Sequence, residues 1–273
     1  MTQDFTRNPS VSCDSRVFKR SAGQTETGLV RSNNQDAILL DEPIGLWLVA
    51  DGMGGHAGGA EASRLASVTI QAAVREGATL HSSILAAHYA IRAEQSKTPA
   101  LAEMGTTIVA LLEADENYEV AWVGDSRAYL FDSNSGNLQQ LTRDHNLAGL
   151  MVETGALSQA EAARHPRRHV LTDCLGLHGA QEPRIEHVKA EWGVGQSVLL
   201  CSDGLSGELG DEEIAAVLAE DSNIINLVQT LLQRAIDAGA RDNVSVVLIQ
   251  SPSDPTLGAQ VRKAWGGWLR RSR

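Results

Sequence analysis

The hydrophobic positions of this chain fall into short runs separated by polar turns, a pattern typical of a domain with many strands and a few helices. Seven runs rich in β-branched and other apolar residues predict strands: Ala37–Leu40, Leu46–Ala50, Thr106–Leu112, Glu119–Val123, Ala128–Phe131, Ser197–Cys201 and Val244–Ile249. Only the short segment "DEPIG" separates the first two runs. We therefore expect them to form an antiparallel pair.

Three longer segments repeat their apolar residues at helical spacing and predict helices. They are Glu61–Val74, Asp211–Glu220, which opens with three acidic residues suited to a helix N-terminus, and Ser222–Ala238, which Gly239 is suited to end. Residues 142–190 contain five of the eight histidines and little strand pattern. This segment predicts a helical insertion, or flap, that covers the sheet.

The length of 273 residues suits one large domain or two small ones. We expect a polar N-terminal arm over residues 1–20, a globular domain over 21–250, and a linker with a basic tail over 251–273. The tail ends in "VRKAWGGWLRRSR", which carries five basic residues and no acid. A flexible, solubilising end is favoured here over contact with anionic lipid or an acidic partner.

Charge and cysteine content exclude several functions. The formal net charge of −11 argues against nucleic-acid binding, and no apolar run approaches the ~20 residues that span a bilayer. The first residues lack the apolar core of a secretory signal. Cys13, Cys174 and Cys201 are irregularly spaced, as expected for free thiols in a reducing cytosol. We expect a cytoplasmic monomer with no transmembrane segment.

Aspartates lie at the ends of the predicted strands. Asp51, Asp125 and Asp203 follow apolar runs, whereas Asp36 and Asp242 come just before them. Asp36 and Asp51 should meet at one sheet edge if their strands are antiparallel. Asp203 and Asp242 should also meet if their strands are antiparallel neighbours.

Clustered carboxylates repel one another and are costly to bury unless a cation lies between them. Oxygen ligands without cysteine select hard divalent ions such as Mg²⁺, Mn²⁺ or Ca²⁺. The glycines of "DGMGGHAGG" would let backbone, including the carbonyl of Gly52, approach an ion beside Asp51. One aspartate at a strand end is more often a turn residue or a helix cap, and glycine loops more often shape turns. Five such aspartates together favour a metal cluster.

The motifs that contain these residues resemble those of a known family. "RSNNQDA", "VADGMGGHAGGAEAS", "GTT", "WVGDSRAYL", "TRDHNL", "CSDGL" and "ARDNVSVVLI" occur in the order found in bacterial PPM (type 2C) metal-dependent serine/threonine phosphatases. The resemblance covers roughly residues 21–250. It implies an α+β fold, namely a four-layer α-β-β-α sandwich with two central, mostly antiparallel sheets flanked by helices.

The resemblance also implies a metal centre. Asp51 would bridge two tightly bound Mn²⁺ or Mg²⁺ ions, the carbonyl of Gly52 would bind the first ion, and Asp203 and Asp242 would bind the second. A hydroxide that bridges the two metals would attack the phosphorus of phosphoserine or phosphothreonine in line.

Further roles follow from the same resemblance. Arg31 would bind the substrate phosphate, Asp36 would hold metal-bound water, and Asp125 would belong to a third, weaker metal site. His56 is a candidate general acid, although a structural role in the glycine loop fits it at least as well. The family often has Glu where this chain has Gln35, which cannot accept a proton.

The predicted function is a phosphatase that acts on phosphorylated proteins and opposes a bacterial serine/threonine kinase. The alternative is a catalytically weak, phosphoprotein-binding regulatory module on the same fold, which the complete ligand set disfavours. A nucleotide-binding protein would need GxxxxGK[ST] or a GxGxxG that opens a helix, and neither occurs. The "HPRRH" segment at residues 165–169 indicates a solvated part of the flap more than a zinc site.

Overall fold

The computed structural model describes residues 20–55, 58–162, 164–177 and 182–252, with the side chains of residues 159 and 160 excepted. The strands are β1 Ser21–Glu26, β2 Asp36–Asp41, β3 Leu46–Met53, β4 Gly105–Thr106, β5 Ile108–Ala114, β6 Asn117–Val123, β7 Arg127–Asp132, β8 Asn137–Gln140, β9 Glu186–Glu191, β10 Gln196–Cys201 and β11 Val244–Gln250. The helices are α1 Gly58–Arg75, α2 Leu80–Lys97, α3 Leu147–Glu153, α4 Gln159–Ala162, α5 Asp203–Ser206, α6 Asp211–Leu218 and α7 Ile224–Ala238.

The strands form two antiparallel sheets. The first has the order β1-β11-β10-β7-β8. The second has the order β2-β3-β5-β6-β9, and the short strand β4 pairs with the end of β3. Every strand pair in both sheets is antiparallel.

Three hydrophobic layers hold the two sheets and the helices together. The inner layer lies between the sheets and includes Trp47, Val120 and Val198. A second layer packs α1 and α2 against the outer face of the β3 sheet, and a third packs α6 and α7 against the outer face of the β10 sheet. The expected four-layer α-β-β-α sandwich is therefore confirmed. None of the described helices is both long and apolar enough to cross a membrane.

The predicted elements occur with small shifts at their ends. The hairpin of β2 and β3 closes through a 3₁₀ turn over Glu42–Ile44, where Gly45 adopts φ +64°. Gly239, with φ +126°, ends α7 as expected, and Glu213 accepts a hydrogen bond from the N–H of Gly210 at the start of α6. The predicted strand from Thr106 divides into β4 and β5.

Two parts of the sequence interpretation were incomplete or wrong. No helix was predicted over Leu80–Lys97, although Leu80, Ile84 and Ile91 have helical spacing and are buried in α2. Residues 186–190 were assigned to the flap, but they form most of β9, whose Val188 pairs with Val120 of β6. The flap therefore ends before β9, and its regular structure in the described residues is limited to the short helices α3 and α4.

Candidate active site

Asp36 and Asp51 lie directly opposite each other in the β2–β3 pair, as the sequence predicted. One oxygen of Asp36, Oδ2, accepts a hydrogen bond of 2.6 Å from Ser245 Oγ, and Ser245 belongs to β11 of the other sheet. The second oxygen of Asp36 is buried and has no hydrogen-bond partner among the described residues. The contact from Ser245 helps to join the two sheets at the edge where the aspartates gather.

Glycine allows close backbone packing beside Asp51. A Cβ atom on Gly52 would lie 2.1 Å from the carbonyl oxygen of Gly59, which belongs to the first turn of α1. Only glycine therefore fits between the end of β3 and the start of that helix. The carbonyl of Asp51 accepts hydrogen bonds from the N–H of Thr107 at 2.8 Å and from Thr106 Oγ1 at 2.9 Å.

Asp203 and Asp242 lie at the matching edge of the other sheet. Their strands, β10 and β11, are antiparallel neighbours, as the sequence analysis assumed. A Cβ atom on Gly204 would lie 2.0 Å from the carbonyl oxygen of Asn243, so the chain after Asp203 packs directly on the chain after Asp242. The two carboxylates are thereby held in one cleft.

Asn243 attaches the loop that carries Arg31. Its Nδ2 donates to the carbonyl oxygens of Thr27 at 2.9 Å and Asn33 at 3.0 Å. Its Oδ1 accepts a 2.8 Å hydrogen bond from the N–H of Gln35. These bonds hold the loop beside Asp242, and Arg31 Nη2 donates to Asp242 Oδ2 at 2.6 Å.

The turn at Asp125 is fixed by hydroxyl groups and by an ion pair. Thr107 Oγ1 and Ser126 Oγ share a 2.7 Å hydrogen bond, which places this turn against the end of β3. Arg127 donates two hydrogen bonds to Asp144, of 2.9 and 2.7 Å. Asp125 is buried, yet it also lines the cleft.

A flap residue also reaches the site. His169 Nδ1 lies 3.5 Å from Asp203 Oδ2, and both His169 and Leu171 line the cleft. The sequence analysis treated residues 165–169 as a solvated part of the flap. The structure leaves much of this segment exposed, and it also brings the last residue, His169, to a predicted metal ligand.

The cleft has a volume of about 640 Å³ and collects most of the predicted residues. Arg31, Asp51, Gly52, Asp125, Asp203 and Asp242 line it. Asp36 pairs with Asp51 in the register of β2 and β3. His56, the candidate general acid, lies outside the described residues.

The electrostatics of the cleft show an excess of negative charge. Burial raises the pKa of Asp36 to about 7, although the hydrogen bond from Ser245 opposes that rise. Burial, followed by the charges of Asp36 and Asp203, raises the pKa of Asp51 well above its usual value. Burial and the charge of Asp203 act in the same way on the pKa of Asp125. A bound cation would relieve this repulsion.

The residues present fit a hard divalent cation. The donors are carboxylates and a backbone carbonyl, and one oxygen of Asp36 has no partner in the ranges that the structure describes. Within the described residues, no three His, Cys, Asp or Glu side chains already have the spacing of a metal site. Asp242 faces Arg31 and Asp203 lies near His169. Ion binding would therefore require these side chains to turn.

Sequence reasoning missed the residues that assemble the site. Asn243, Ser245 and Thr107 are buried polar residues that follow or pair with the aspartates. Asn243 and Ser245 stand in the "ARDNVSVVLI" motif and Thr107 in "GTT". A polar residue inside an apolar run was the available signal, because buried polar groups are normally hydrogen-bonded.

Comparison with known proteins agrees with this geometry. The family model described as Protein phosphatase 2C matches residues 29–246. The chain is 34% identical over 235 residues to the serine/threonine protein phosphatase PstP of Mycobacterium tuberculosis. The aligned region covers 84% of this chain and 44% of that protein. It is 31% identical over 242 residues to the serine/threonine phosphatase stp of Listeria welshimeri, and this alignment covers 83% of this chain and 94% of the Listeria protein.

A solved structure extends the comparison to three dimensions. The crystal structure of the catalytic domain of PstP in complex with two manganese ions matches with a TM-score of 0.73 and 33% identity, over 85% of this chain and 97% of that one. The chain therefore belongs to the protein phosphatase 2C family. It spans less than half the length of the mycobacterial protein and nearly all of the Listeria protein.

Proposed function

We propose that this protein is a divalent-metal-dependent phosphatase that hydrolyses phosphoserine and phosphothreonine in proteins. The observation that carries this proposal is the convergence of four aspartates and Arg31 on one cleft at the shared edge of the two sheets. Family membership supports the reaction class, and the two manganese ions in the PstP structure support the metal.

The aspartates would hold two Mn²⁺ or Mg²⁺ ions. Asp51 would bridge them, the carbonyl of Gly52 would complete the first site, and Asp203 and Asp242 would form the second. Asp36 would accept a hydrogen bond from water at the first site through the oxygen that has no partner in the described part of the protein. When bound, two such ions lower the pKa of water between them and neutralise the phosphoryl oxygens.

Arg31 would bind the substrate phosphate. Its guanidinium is half-exposed and pairs with Asp242 in the structure. Once Asp242 turned to an ion, Arg31 would present its planar fork to phosphate oxygens instead. His56 stays a candidate proton donor to the leaving alkoxide, because an alkyl leaving group needs protonation.

Asp125 would contribute to a third, weaker site with help from Asp203. Burial, followed by the charge of the neighbouring Asp203, raises the pKa of Asp125. A site with fewer carboxylates binds its ion less tightly. Asp125→Ala should therefore preserve two tight ions and lose a weaker one.

The test is hydrolysis of phosphopeptides by the full chain with and without Mn²⁺. We expect activity in Mn²⁺, its loss in excess chelator, and its return when Mn²⁺ is added back. Calorimetric titration of the metal-free wild type and of Asp125→Ala would count the ions. Full activity in excess chelator would refute the metal mechanism, and equal ion counts in the two proteins would refute the third site.

Three further expectations accompany this function and are not tested by the structure. A phosphatase of this kind would oppose a serine/threonine kinase, because each phosphorylation needs a reverse reaction. Cys174 and Cys201 are buried free thiols, which agrees with a reducing compartment such as the cytoplasm. The monomeric state stays a prediction from the sequence. The regulatory-module alternative is disfavoured because Asp51, Asp203 and Asp242 are all present.

A further inference from the structure

The flap turn, residues 164–169 with the sequence "RHPRRH", contains three arginines, two histidines and no acid. Arg164 and Arg167 are exposed and Arg168 is half-buried. None of these three guanidinium groups has a side-chain partner within the described part of the chain. Their positive charge is therefore available at the surface.

The other cationic side chains of the described residues are all engaged. Each remaining arginine or lysine contacts a carboxylate or an amide: Arg20–Glu113, Arg31–Asp242, Arg64–Glu61, Arg75–Asp41, Arg92–Gln95, Lys97–Glu94, Arg127–Asp144, Arg143–Glu186, Arg184–Glu153, Lys189–Glu119, Arg234–Glu220 and Arg241–Glu208. The nearest acid before the flap turn, Glu161, accepts hydrogen bonds from the N–H and the hydroxyl of Ser158. The turn is thus an uncompensated basic surface on a chain of net charge −11.

The flap turn is joined directly to the cleft. His169, its last residue, lines the cleft and lies 3.5 Å from Asp203. Consecutive Cα atoms are about 3.8 Å apart, so the backbone of Arg168 and Arg167 lies within about 8 Å of His169. The turn is held there, because the carbonyl of Val170 accepts a 2.9 Å hydrogen bond from the N–H of Leu147.

We propose that the flap turn is a docking surface for acidic side chains that flank the phosphorylated residue of a protein substrate. This inference rests on the phosphatase function proposed above. Each guanidinium offers a planar fork that fits one carboxylate, and the turn supplies three of them in sequence. The rest of this acidic protein repels such segments, so the turn decides whether an acidic substrate is accepted.

The position of the preferred acids follows from chain geometry. An extended peptide advances about 3.3–3.6 Å per residue. With the scissile phosphate beside Arg31, the carboxylates that reach Arg167 and Arg168 would stand about two to four residues from the phosphorylated residue. The occupant is a run of aspartate or glutamate side chains.

The test compares phosphothreonine peptides of equal length with the full chain in Mn²⁺ at low ionic strength. One peptide carries three acidic flanking residues, a second carries glutamines there, and a third carries glutamines and a second phosphate. We expect kcat/KM to be about fivefold higher for the acidic than for the glutamine peptide, and the difference to shrink at high salt.

The variant Arg167→Gln/Arg168→Gln should reduce this ratio towards one. The charge-matched control, Lys189→Gln/Arg234→Gln, removes two positive charges from exposed side chains of β9 and α7 and should keep the ratio. Equal kcat/KM for the acidic and glutamine peptides, or a ratio that the double variant retains, would overturn the inference while leaving the phosphatase function in place. If kcat/KM rises only for the peptide with the second phosphate, the flap turn does not select carboxylates and the proposed occupant is wrong.

Peptide binding tests the docking surface separately from the phosphatase activity. If no peptide is hydrolysed, binding of fluorescently labelled peptides measured by anisotropy still decides the inference. Tighter binding of the acidic peptide, lost in the double variant, would support the docking surface. Equal affinities would overturn it.

Discussion

Asn243→Ala tests whether one buried amide assembles the candidate active site. Asn243 is only 4% exposed, and its side chain makes three hydrogen bonds to the backbone of the loop that carries Arg31. Alanine removes all three bonds and leaves the N–H of Gln35 and the carbonyls of Thr27 and Asn33 without these partners. The substitution does not touch the carboxylate of Asp242.

The magnitude follows from the three bonds. A buried hydrogen bond contributes about 0.5–1.5 kcal/mol net, so the loss of three should lower the free energy of unfolding by about 3 kcal/mol. For a domain of this size, that corresponds to a fall of about 6–12 °C in melting temperature. Arg31 would lose its fixed position beside Asp242, so kcat/KM on a phosphopeptide should fall by about tenfold or more.

Thermal denaturation and steady-state kinetics in Mn²⁺ would measure both effects. Asn226→Ala is the control, because Asn226 is an exposed amide on α7. We expect the control to match the wild type in both assays. An Asn243→Ala protein that melts within about 2 °C of the wild type and keeps its kcat/KM would show that the loop is held by other contacts.

Three further predictions follow from the packing and protonation of the same fold. Gly204→Ala should lower the free energy of unfolding by about 1–3 kcal/mol and weaken Mn²⁺ binding in calorimetry, because its Cβ would lie 2.0 Å from the carbonyl oxygen of Asn243. Gly210→Ala is the control, because the atom nearest to its Cβ would be 3.6 Å away. Equal effects of the two substitutions would contradict the packing explanation. In chelator, Asp36→Asn should melt above the wild type at pH 8, and above it by a smaller margin at pH 5. The folded-state pKa of about 7 lies above the usual 3.8, so the wild type loses stability as the pH rises between these values; a variant that melts lower at pH 8 would refute this. Burial raises the pKa of Cys174 to about 11 and that of Cys201 to about 12. The native chain at pH 8 should therefore react with a thiol reagent at no more than one of its three cysteines. Reaction at two or more cysteines would contradict this prediction.

Local order along the sequence was enough to predict several features. Asp36 and Asp51 face each other because a short turn joins their strands into an antiparallel pair. In such a pair, the start of the first strand lies beside the end of the second. The helices α1, α6 and α7 were predictable because each buries one face at a spacing of three to four residues. The resemblance to the phosphatase family added the four-layer fold, which periodicity alone could not supply.

Elements whose pairing partners lie far away in the chain were harder to predict. β1 contains only one residue of clear apolar character, Ala22, and is a strand because it pairs with β11, more than 200 residues later. β9 alternates exposed and half-buried positions, and its place in the sheet depends on β6. Strand propensity in such segments depends on neighbours that the local pattern does not contain.

The sequence by itself was enough to predict which residues would carry the chemistry: the aspartates at strand ends, the glycines beside them and Arg31. Only the tertiary structure decided how these residues are held. Ser245 of one sheet reaches Asp36 of the other, Asn243 attaches the loop of Arg31, and the flap brings His169 to Asp203. The physical reason is that these contacts join segments about 35 to more than 200 residues apart. Their geometry is therefore set by the order and packing of the two sheets, which no local pattern of the chain contains.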